Sequence, residues 1–259
     1  MNKKYFYITD SYCNTVTDSQ VINKLQLLDN KNIVFDLIII SPISYLIKNY
    51  TEYKKNISYG RKNIKGNVFQ IPILKSNDQS GISSLIKFFS LLIILIPHVR
   101  KNIIIQTRSI RDYKSLKMIK FFYKRVKILF DFRGAISEEY INSLNYRNIN
   151  EVKIRSVRRK YFKLIDIQNK MFQLSNKIFC VSNKMKNYVN KYFPNKDKII
   201  VVPGAADSNQ FYFDISLRNQ FRKNMNISSS ERIIVYSGRL DSFYCIKEEI
   251  FLLVSKILK

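Results

Sequence analysis

The chain has 259 residues, of which 46% are hydrophobic and 14% aromatic, and this composition excludes an intrinsically disordered protein. Its length allows a large buried core in one large or two small domains. Forty-five lysines and arginines against nineteen acidic residues give a net charge of +26, which favours anionic partners such as lipid surfaces, nucleic acid or phosphate-bearing substrates.

The first part of the chain alternates predicted strands and helices. Apolar runs at residues 4–9 and 33–40 predict two strands of a parallel sheet. Residues 68–74 predict a third strand, and Pro72 within it indicates a position near an edge of the sheet. The helix predicted between the first two strands has four apolar residues on one face, namely Val21, Ile22, Leu25 and Leu28.

Residues 81–96, GISSLIKFFSLLIILI, are the most apolar segment. Lys87 and Ser90 interrupt it, and Pro97 ends it before it is long enough to cross a hydrocarbon layer of about 30 Å. We interpret the segment as a core helix, because a helix in this position is normally covered by the sheet. The alternative is a helix with one face in a membrane interface.

The next two predicted strands end in polar residues. Residues 102–107 form a strand followed by Arg108 and Ser109, and a basic helix is predicted at residues 111–125. Residues 127–132 form another strand, which ends in the sequence Asp131-Phe132-Arg133-Gly134. Ser137 is a predicted helix cap, and the two glutamates after it complement the positive end of the helix dipole.

The remaining elements continue the alternation. Residues 150–175 predict a long basic helix with Phe162 and Phe172 among its buried positions. Residues 178–203 predict a strand, a helix and a strand, followed by a short helix at 218–224, a strand at 233–237 and an amphipathic helix at 247–258. This regular alternation predicts an α/β fold with a parallel sheet.

Several classes of site are excluded by the residues that are present. Three cysteines without close spacing indicate neither a disulfide framework nor a zinc site, and they fit a reducing cytoplasm. His98 is the only histidine, which disfavours a Ser-His-Asp hydrolase, and no P-loop sequence is present. The N-terminus has no signal-peptide pattern.

Four fragments stand in a recognisable order: Cys180-Val181-Ser182, Val201-Val202-Pro203-Gly204, Asp207 with Phe211, and Ser237-Gly238-Arg239-Leu240. Their order and spacing resemble the interdomain region of the GT-B glycosyltransferases of family 4. The resemblance implies a Rossmann-like, doubly wound parallel sheet and the beginning of a second Rossmann-like domain.

The domain boundaries follow from the same resemblance. Residues 1–203 would form the acceptor-side domain, 204–230 the interdomain hinge and 231–259 the start of the donor-binding domain. We expect that second domain to be truncated, because one strand-helix unit cannot bury its own faces. The Glu-x7-Glu signature that the family carries downstream would also be missing.

Ligands of open parallel sheets collect beyond the carboxyl ends of the strands. The resemblance implies that Gly238 and Arg239 bind the donor diphosphate, since a glycine admits close approach and an arginine offers a fork of donors. It also implies an acceptor-side cleft. The predicted cleft residues are Arg108, Asp131, Arg133 and Glu138. For Asp131, Arg133 and Glu138 the alternative is a buried turn with an Asp–Arg pair and a helix cap.

The function implied is that of a retaining glycosyltransferase of the hexosyltransferase type. It would transfer a sugar from a UDP- or GDP-linked nucleotide sugar to a glycan or lipid-linked acceptor in cell-surface glycan synthesis, with no metal or other cofactor. The expected location is the cytoplasm, peripherally on an anionic membrane surface.

Two alternatives stay open. One is a basic nucleic-acid-binding protein, suggested by Arg155, Arg158, Arg159 and Lys160, although no recognised motif is present and no nucleic-acid partner is expected. The other is an inactive glycosyltransferase remnant.

Overall fold

One parallel sheet forms the centre of the molecule. The computed structural model describes residues 3–10, 21–74, 81–142, 151–204 and 212–235. Its strands are β1 (Lys3–Thr9), β2 (Phe35–Pro42), β3 (Val68–Ile73), β4 (Asn102–Thr107), β5 (Lys127–Phe132), β6 (Lys177–Cys180) and β7 (Ile199–Val201). They pair in the order β3-β2-β1-β4-β5-β6-β7, and every pair is parallel. This confirms the predicted α/β class with a Rossmann-like sheet.

Helices connect successive strands. They are α1 (Asn23–Asp29), α2 (Ile43–Lys48), α3 (Tyr50–Asn63), α4 (Gly81–Leu95), α5 (Tyr113–Phe122), α6 (Ile136–Asn142), α7 (Glu151–Leu174), α8 (Asn183–Tyr192) and α9 (Ile215–Asn224). Short 3₁₀ turns follow α4 at Ile96–His98 and precede α5 at Ile110–Asp112. The predicted helix at residues 111–125 is therefore shorter than expected.

The strand sequences explain where the strands lie. All eight residues of β2 are buried, as expected for a continuous apolar strand that is covered on both faces. β3, which contains Pro72, lies at one edge of the sheet, as predicted. β7 is the other edge strand and has only three residues.

The core has two layers, one on each face of the sheet. Tyr7 points to the layer that contains Val21, Ile22 and Leu25 of the α1 region, together with Ile57 of α3. The neighbouring strand residues point to the opposite layer, which contains apolar side chains of α4, α5, α7 and α8: Phe88, Leu91, Leu95, Leu116, Ile119, Leu164, Met171, Phe172 and Val189. The apolar face predicted for the first helix is confirmed.

Helix α4 is only partly the core helix that we expected. Its residues Phe88, Leu91 and Leu95 are buried, but several of its largest apolar residues face outward. Lys87 faces inward, where its Nζ lies 2.9 Å from Oδ1 of Asp112. This buried ion pair fixes the rotation of the helix, since turning the outer residues inward would remove Lys87 from its partner.

Two smaller predictions on the helices are wrong. Phe162 of α7 is 54% exposed, whereas Phe172 is buried as expected. Ser137 does not cap α6, which begins one residue earlier at Ile136. The Ser137 hydroxyl instead pairs with the hydroxyl of Tyr188 of α8 at 3.2 Å, so it joins α6 to its neighbour.

Residues 212–235 form a helix and a turn. Asp214 caps α9, because its Oδ1 accepts hydrogen bonds from the backbone N–H groups of Ser216 and Leu217, and the helix therefore starts earlier than predicted. The buried Arg222 donates to the carbonyl oxygens of Ser228 and Glu231.

Part of the strand predicted at 233–237 lies in this segment. Residues 233–235 are exposed and adopt no strand, because no strand among the described residues pairs with them. Residues 236 and 237 lie outside the described ranges. The domain boundaries that we expect at 203/204 and 230/231 stay a prediction.

Candidate functional site

A buried carboxylate at the carboxyl end of β5 gathers donors from four other residues. Asp131 is 3% exposed. Its Oδ2 accepts from the Tyr7 hydroxyl at 3.0 Å, and Gln106 Nε2 and Lys24 Nζ each lie 3.4 Å from the same oxygen. Arg133 Nε lies 3.1 Å from Oδ1 and 3.2 Å from Oδ2. These five residues are called the Asp131 cluster below.

The sheet explains how distant residues meet in this cluster. Tyr7 of β1 and Gln106 of β4 are direct partners in the strand register, so their side chains lie side by side on one face. Asp131 projects from that same face of the next strand, β5. Lys24 comes from α1, which packs over this face, and Arg133 follows β5 directly.

Burial and the neighbouring charges together set the pKa values in the cluster. Burial alone would raise the pKa of Asp131, but the Lys24 ammonium and the Arg133 guanidinium outweigh burial and hold that pKa below its usual value. Burial lowers the pKa of Lys24, and the positive charges of Arg133 and Arg108 lower it further against the attraction of Asp131. Burial and the neighbouring Asp131 raise the pKa of Tyr7.

The predicted residue Arg108 therefore belongs to the same electrostatic field. The Lys24 and Arg133 side chains keep 30% and 28% of their surfaces exposed, while that of Asp131 keeps 4%. The Asp131 carboxylate makes its hydrogen bonds inside the protein, whereas the Lys24 and Arg133 side chains each stay partly accessible to solvent. The arrangement presents positive charge at the carboxyl edge of the sheet, where an anion can approach.

A second polar group holds the turn that carries Arg108. The Ser109 hydroxyl donates to Asp10 Oδ2 at 2.7 Å, which joins the end of β1 to the end of β4. In the following 3₁₀ turn, the buried Asp112 accepts a hydrogen bond from the Thr107 hydroxyl at 2.7 Å as well as one from Lys87. Because Ser109, Thr107 and Asp112 are buried and each is paired, they position the backbone around Arg108.

Glu138, the fourth predicted cleft residue, lies in different surroundings. Its Oε1 accepts from the Tyr161 hydroxyl at 3.0 Å and lies 3.5 Å from the Tyr188 hydroxyl, so it sits among α6, α7 and α8. The structure thus brings Arg108, Asp131 and Arg133 together. Glu138 follows Arg133 closely in sequence, but no hydrogen bond among the described contacts joins it to these three residues. A role for Glu138 in the cleft stays a prediction.

Three members of the cluster are not predicted from the sequence, namely Tyr7, Lys24 and Gln106. Gln106 could have been found from the sequence, because its amide interrupts the apolar run of the strand NIIIQT. The sequence predicts for Glu139 only an interaction with the helix dipole, but its carboxylate lies against Gly134, where a Cβ would collide with it. Burial raises the pKa of Glu139. The predicted diphosphate residues Gly238 and Arg239 lie outside the described residues.

Metal chemistry gains no support from the described part of the chain. Within it, no group of three or more histidine, cysteine, aspartate or glutamate side chains is arranged to hold a metal ion. Cys180, at the end of β6, is fully buried, and burial raises the pKa of its thiol to about 11. It is therefore a packed core residue with little thiolate character.

Comparison with known proteins gives a structural likeness only. No protein-family model matches the sequence, and no curated protein gives a significant match. A glycosyltransferase from Rickettsia africae ESF-5 matches with a TM-score of 0.53 and 15% identity, over 93% of this chain and 54% of that one. This chain therefore spans about half the length of the glycosyltransferase that it matches.

Weaker likenesses have TM-scores below 0.5. Anabaena Alr3699/HepE, crystallised with UDP and glucose, gives 0.48 at 8% identity over 86% of this chain and 50% of that one. A putative UDP-N-acetylglucosamine 2-epimerase from Listeria monocytogenes gives 0.46 at 8% identity over 77% and 44% of the two chains.

Proposed function

We propose that this chain, which has the fold of a GT-B glycosyltransferase, takes part in transfer of a sugar from a UDP- or GDP-linked nucleotide sugar to an acceptor. The observation that carries the proposal is the fold likeness to a glycosyltransferase over 93% of the chain. The Asp131 cluster supports it, because the cluster lies at the carboxyl edge of the sheet, where open α/β sheets bind ligands.

The reaction would leave the anomeric configuration unchanged, as the resemblance to family 4 implies. The bond between the sugar and the nucleotide diphosphate breaks, an acceptor hydroxyl oxygen takes the sugar, and the hydroxyl proton passes to the departing diphosphate. Arg239, with Gly238 admitting close approach, would stabilise the charge that develops on this leaving group. No metal or cofactor is part of the proposal.

The acceptor would lie over the Asp131 cluster. Lys24 and Arg133 are partly exposed, and Arg108 adds positive charge to the same region. Asp131 is held by its four donors and is poorly placed to meet a sugar hydroxyl. An acceptor with an anionic group, such as the phosphate of a lipid-linked glycan, fits these charges best.

We place this reaction at the cytoplasmic face of a membrane, with the protein bound peripherally to anionic lipid during the synthesis of a cell-surface glycan. The net charge of +26 supports an anionic surface as partner. Nucleic acid is not a partner in this proposal.

Calorimetric titration with UDP- and GDP-sugars tests the donor side. We expect saturable binding that Arg239→Ala weakens by about tenfold or more, the typical result of removing a hydrogen bond to a charged group. Arg232→Ala is the matched control, because it removes the same charge from an exposed arginine a few residues away and should leave binding unchanged. Equal effects of both variants would contradict a specific role of Arg239 in donor binding. No binding at all would contradict donor binding by this chain and leave it the acceptor side of the fold.

A further inference from the structure

Helix α4 presents a continuous apolar face to the outside of the molecule. The residues of this face recur every three or four positions, between 47% and 71% exposed, and are Ile82, Leu85, Phe89, Ile93 and, in the following 3₁₀ turn, Ile96. They are called the α4 stripe below. This spacing places all of them on one side of the helix.

The stripe is a fixed feature of the fold. Phe88, Leu91 and Leu95 anchor the opposite side of α4 in the core. The Lys87 and Asp112 side chains, which pair beneath the helix, are 4% and 1% exposed. Rotating α4 to bury the stripe would break this pair and leave two buried charges, which is strongly unfavourable.

The apolar surface continues onto the end of α5. Phe121 and Phe122 are 76% and 65% exposed there. The Phe122 ring lies 5.6 Å from that of Phe88, so the end of α5 packs against α4. Together the two helices expose aromatic and branched aliphatic groups over adjoining surface, and a contiguous exposed apolar surface marks an interaction site.

The part of the chain that carries this surface is rich in positive charge. Residues 81–127 contain eleven lysines and arginines and a single acidic residue, Asp112, which is buried against Lys87. Lys101, Lys124 and Arg125 line a depression of about 350 Å³ together with Val99 and Phe122. Cations and exposed apolar side chains therefore lie together at this depression, next to the end of α5.

We propose that the α4 stripe and the end of α5 dock on an anionic lipid bilayer, with α4 lying in the plane of the interface. The apolar side chains would enter the boundary between headgroups and acyl chains, and the cations would meet lipid phosphates. This face would meet the membrane partner proposed above, and its docking does not depend on the transfer reaction.

The packing of α4 against the sheet favours a helix that lies in the membrane interface over one that spans the bilayer. By length and composition alone, Gly81–His98 is long and apolar enough to cross a bilayer, so the expectation that Pro97 ends the segment too early is wrong. However, the inner side of α4 belongs to the sheet core, so inserting the helix across the membrane would pull Phe88, Leu91 and Leu95 out of the protein. The outer side alone is available to lipid.

Two other occupants fit this face less well. A second copy of the chain would place one cationic rim against another, and like charges repel. Single-stranded nucleic acid stacks its bases on aromatic rings, whereas most of the α4 stripe is aliphatic.

Sedimentation with lipid vesicles tests the proposal without any nucleotide sugar. Vesicles contain phosphatidylcholine alone or with equal parts of phosphatidylglycerol, and we expect strong binding only to the second kind. Phe89→Ser with Ile93→Ser should lower the partition coefficient by about tenfold or more, since each side chain loses its apolar burial. The matched control is Leu27→Ser with Ile47→Ser, two exposed apolar residues on α1 and α2. It should bind as the parent chain does.

Charge variants test the cationic rim in the same assay. Lys124→Ser with Arg125→Ser should weaken binding to anionic vesicles several-fold. Arg155→Ser with Arg158→Ser removes the same net charge from α7 and should have a smaller effect. The proposed face is wrong if the α7 double variant weakens vesicle binding more than the Lys124→Ser, Arg125→Ser variant does. It is also wrong if duplex DNA competes with vesicles for the parent chain and the α7 variant no longer binds DNA, in which case α7 is a nucleic-acid surface.

A fluorescence measurement locates the insertion. The chain contains no tryptophan, so Phe89→Trp introduces a unique reporter. With anionic vesicles, its emission should shift to the blue and brominated acyl chains should quench it, while Phe213→Trp on the exposed segment before α9 should respond to neither. Unquenched emission from the Phe89→Trp variant in its vesicle-bound form would overturn the proposal. Because no sugar substrate is present, this result stands whether or not the chain binds a donor.

Discussion

The Asp131 cluster and the α4 stripe both reverse the usual placement of side chains, but in opposite ways. The cluster buries polar groups, and each has a partner within the protein, so the cost of burial is offset internally. The stripe exposes apolar groups, and nothing in the described residues covers them. The first arrangement is complete in the isolated domain, whereas the second needs an outside surface to complete it.

The sharpest contrast lies within α4 itself. Leu91 is fully buried, while Ile93, two positions along the helix, is 71% exposed. Leu91→Ala should lower the free energy of unfolding by about 3–4 kcal/mol, because it removes buried methyl groups and leaves a cavity. Urea titration measures this value, and a loss below about 1 kcal/mol would show that α4 does not pack as described.

Removing the central carboxylate tests whether the Asp131 cluster is internally complete. Asp131→Asn should destabilise the fold by about 2–3 kcal/mol, at the lower end for a broken buried pair, because Lys24 and Arg133 can turn partly toward water. Asp166→Asn is the control. It breaks a 2.6 Å pair with Lys170 on the exposed surface of α7 and should cost less than about 0.5 kcal/mol. Equal losses for the two variants would remove the distinction between buried and exposed pairs.

The same cluster predicts a dependence on pH. The folded chain holds the pKa of Asp131 below its unfolded value, so the carboxylate contributes stability above the unfolded pKa and loses that contribution as the pH falls through the folded pKa. The difference in unfolding free energy between the parent chain and Asp131→Asn should therefore shrink below about pH 4. Urea titrations from neutral to acidic pH measure it, and a constant difference would contradict this prediction.

The smallest effect on stability belongs to the stripe. Ile93→Ser should change the free energy of unfolding by no more than about 0.5 kcal/mol, because the side chain is already largely in water. Its effect should appear instead in vesicle binding. A loss comparable with that of Leu91→Ala would mean that Ile93 is covered within the protein.

The sequence predicts the strands of this fold well, for reasons that are local. Continuous apolar runs mark the strands, and Pro72 marks an edge. Arg108, Asp131 and Arg133 could be placed at the carboxyl edge because each follows or ends a predicted strand. The first three residues of the strand predicted at 233–237 adopt no strand, since an apolar run forms a strand only beside a partner.

The features that the sequence does not predict depend on contacts between residues that are far apart in the chain. Tyr7 and Asp131 are 124 positions apart in sequence, and only the sheet order brings them together. Lys87 reads as an interruption of an apolar helix, because its partner Asp112 lies 25 positions away across the fold. The apolar run therefore predicted the helix correctly but not which of its sides faces the core.

The position of β1 also has a consequence for synthesis on the ribosome. β1 pairs with β2 on one side, but its other side pairs with β4, where Lys3 meets Asn102. At about 5–20 residues per second, the nascent chain carries this strand with one open edge for roughly 5–20 seconds before β4 is made. An open edge is a template for pairing with other chains, so protection by a ribosome-associated chaperone during this interval should raise the yield of folded protein.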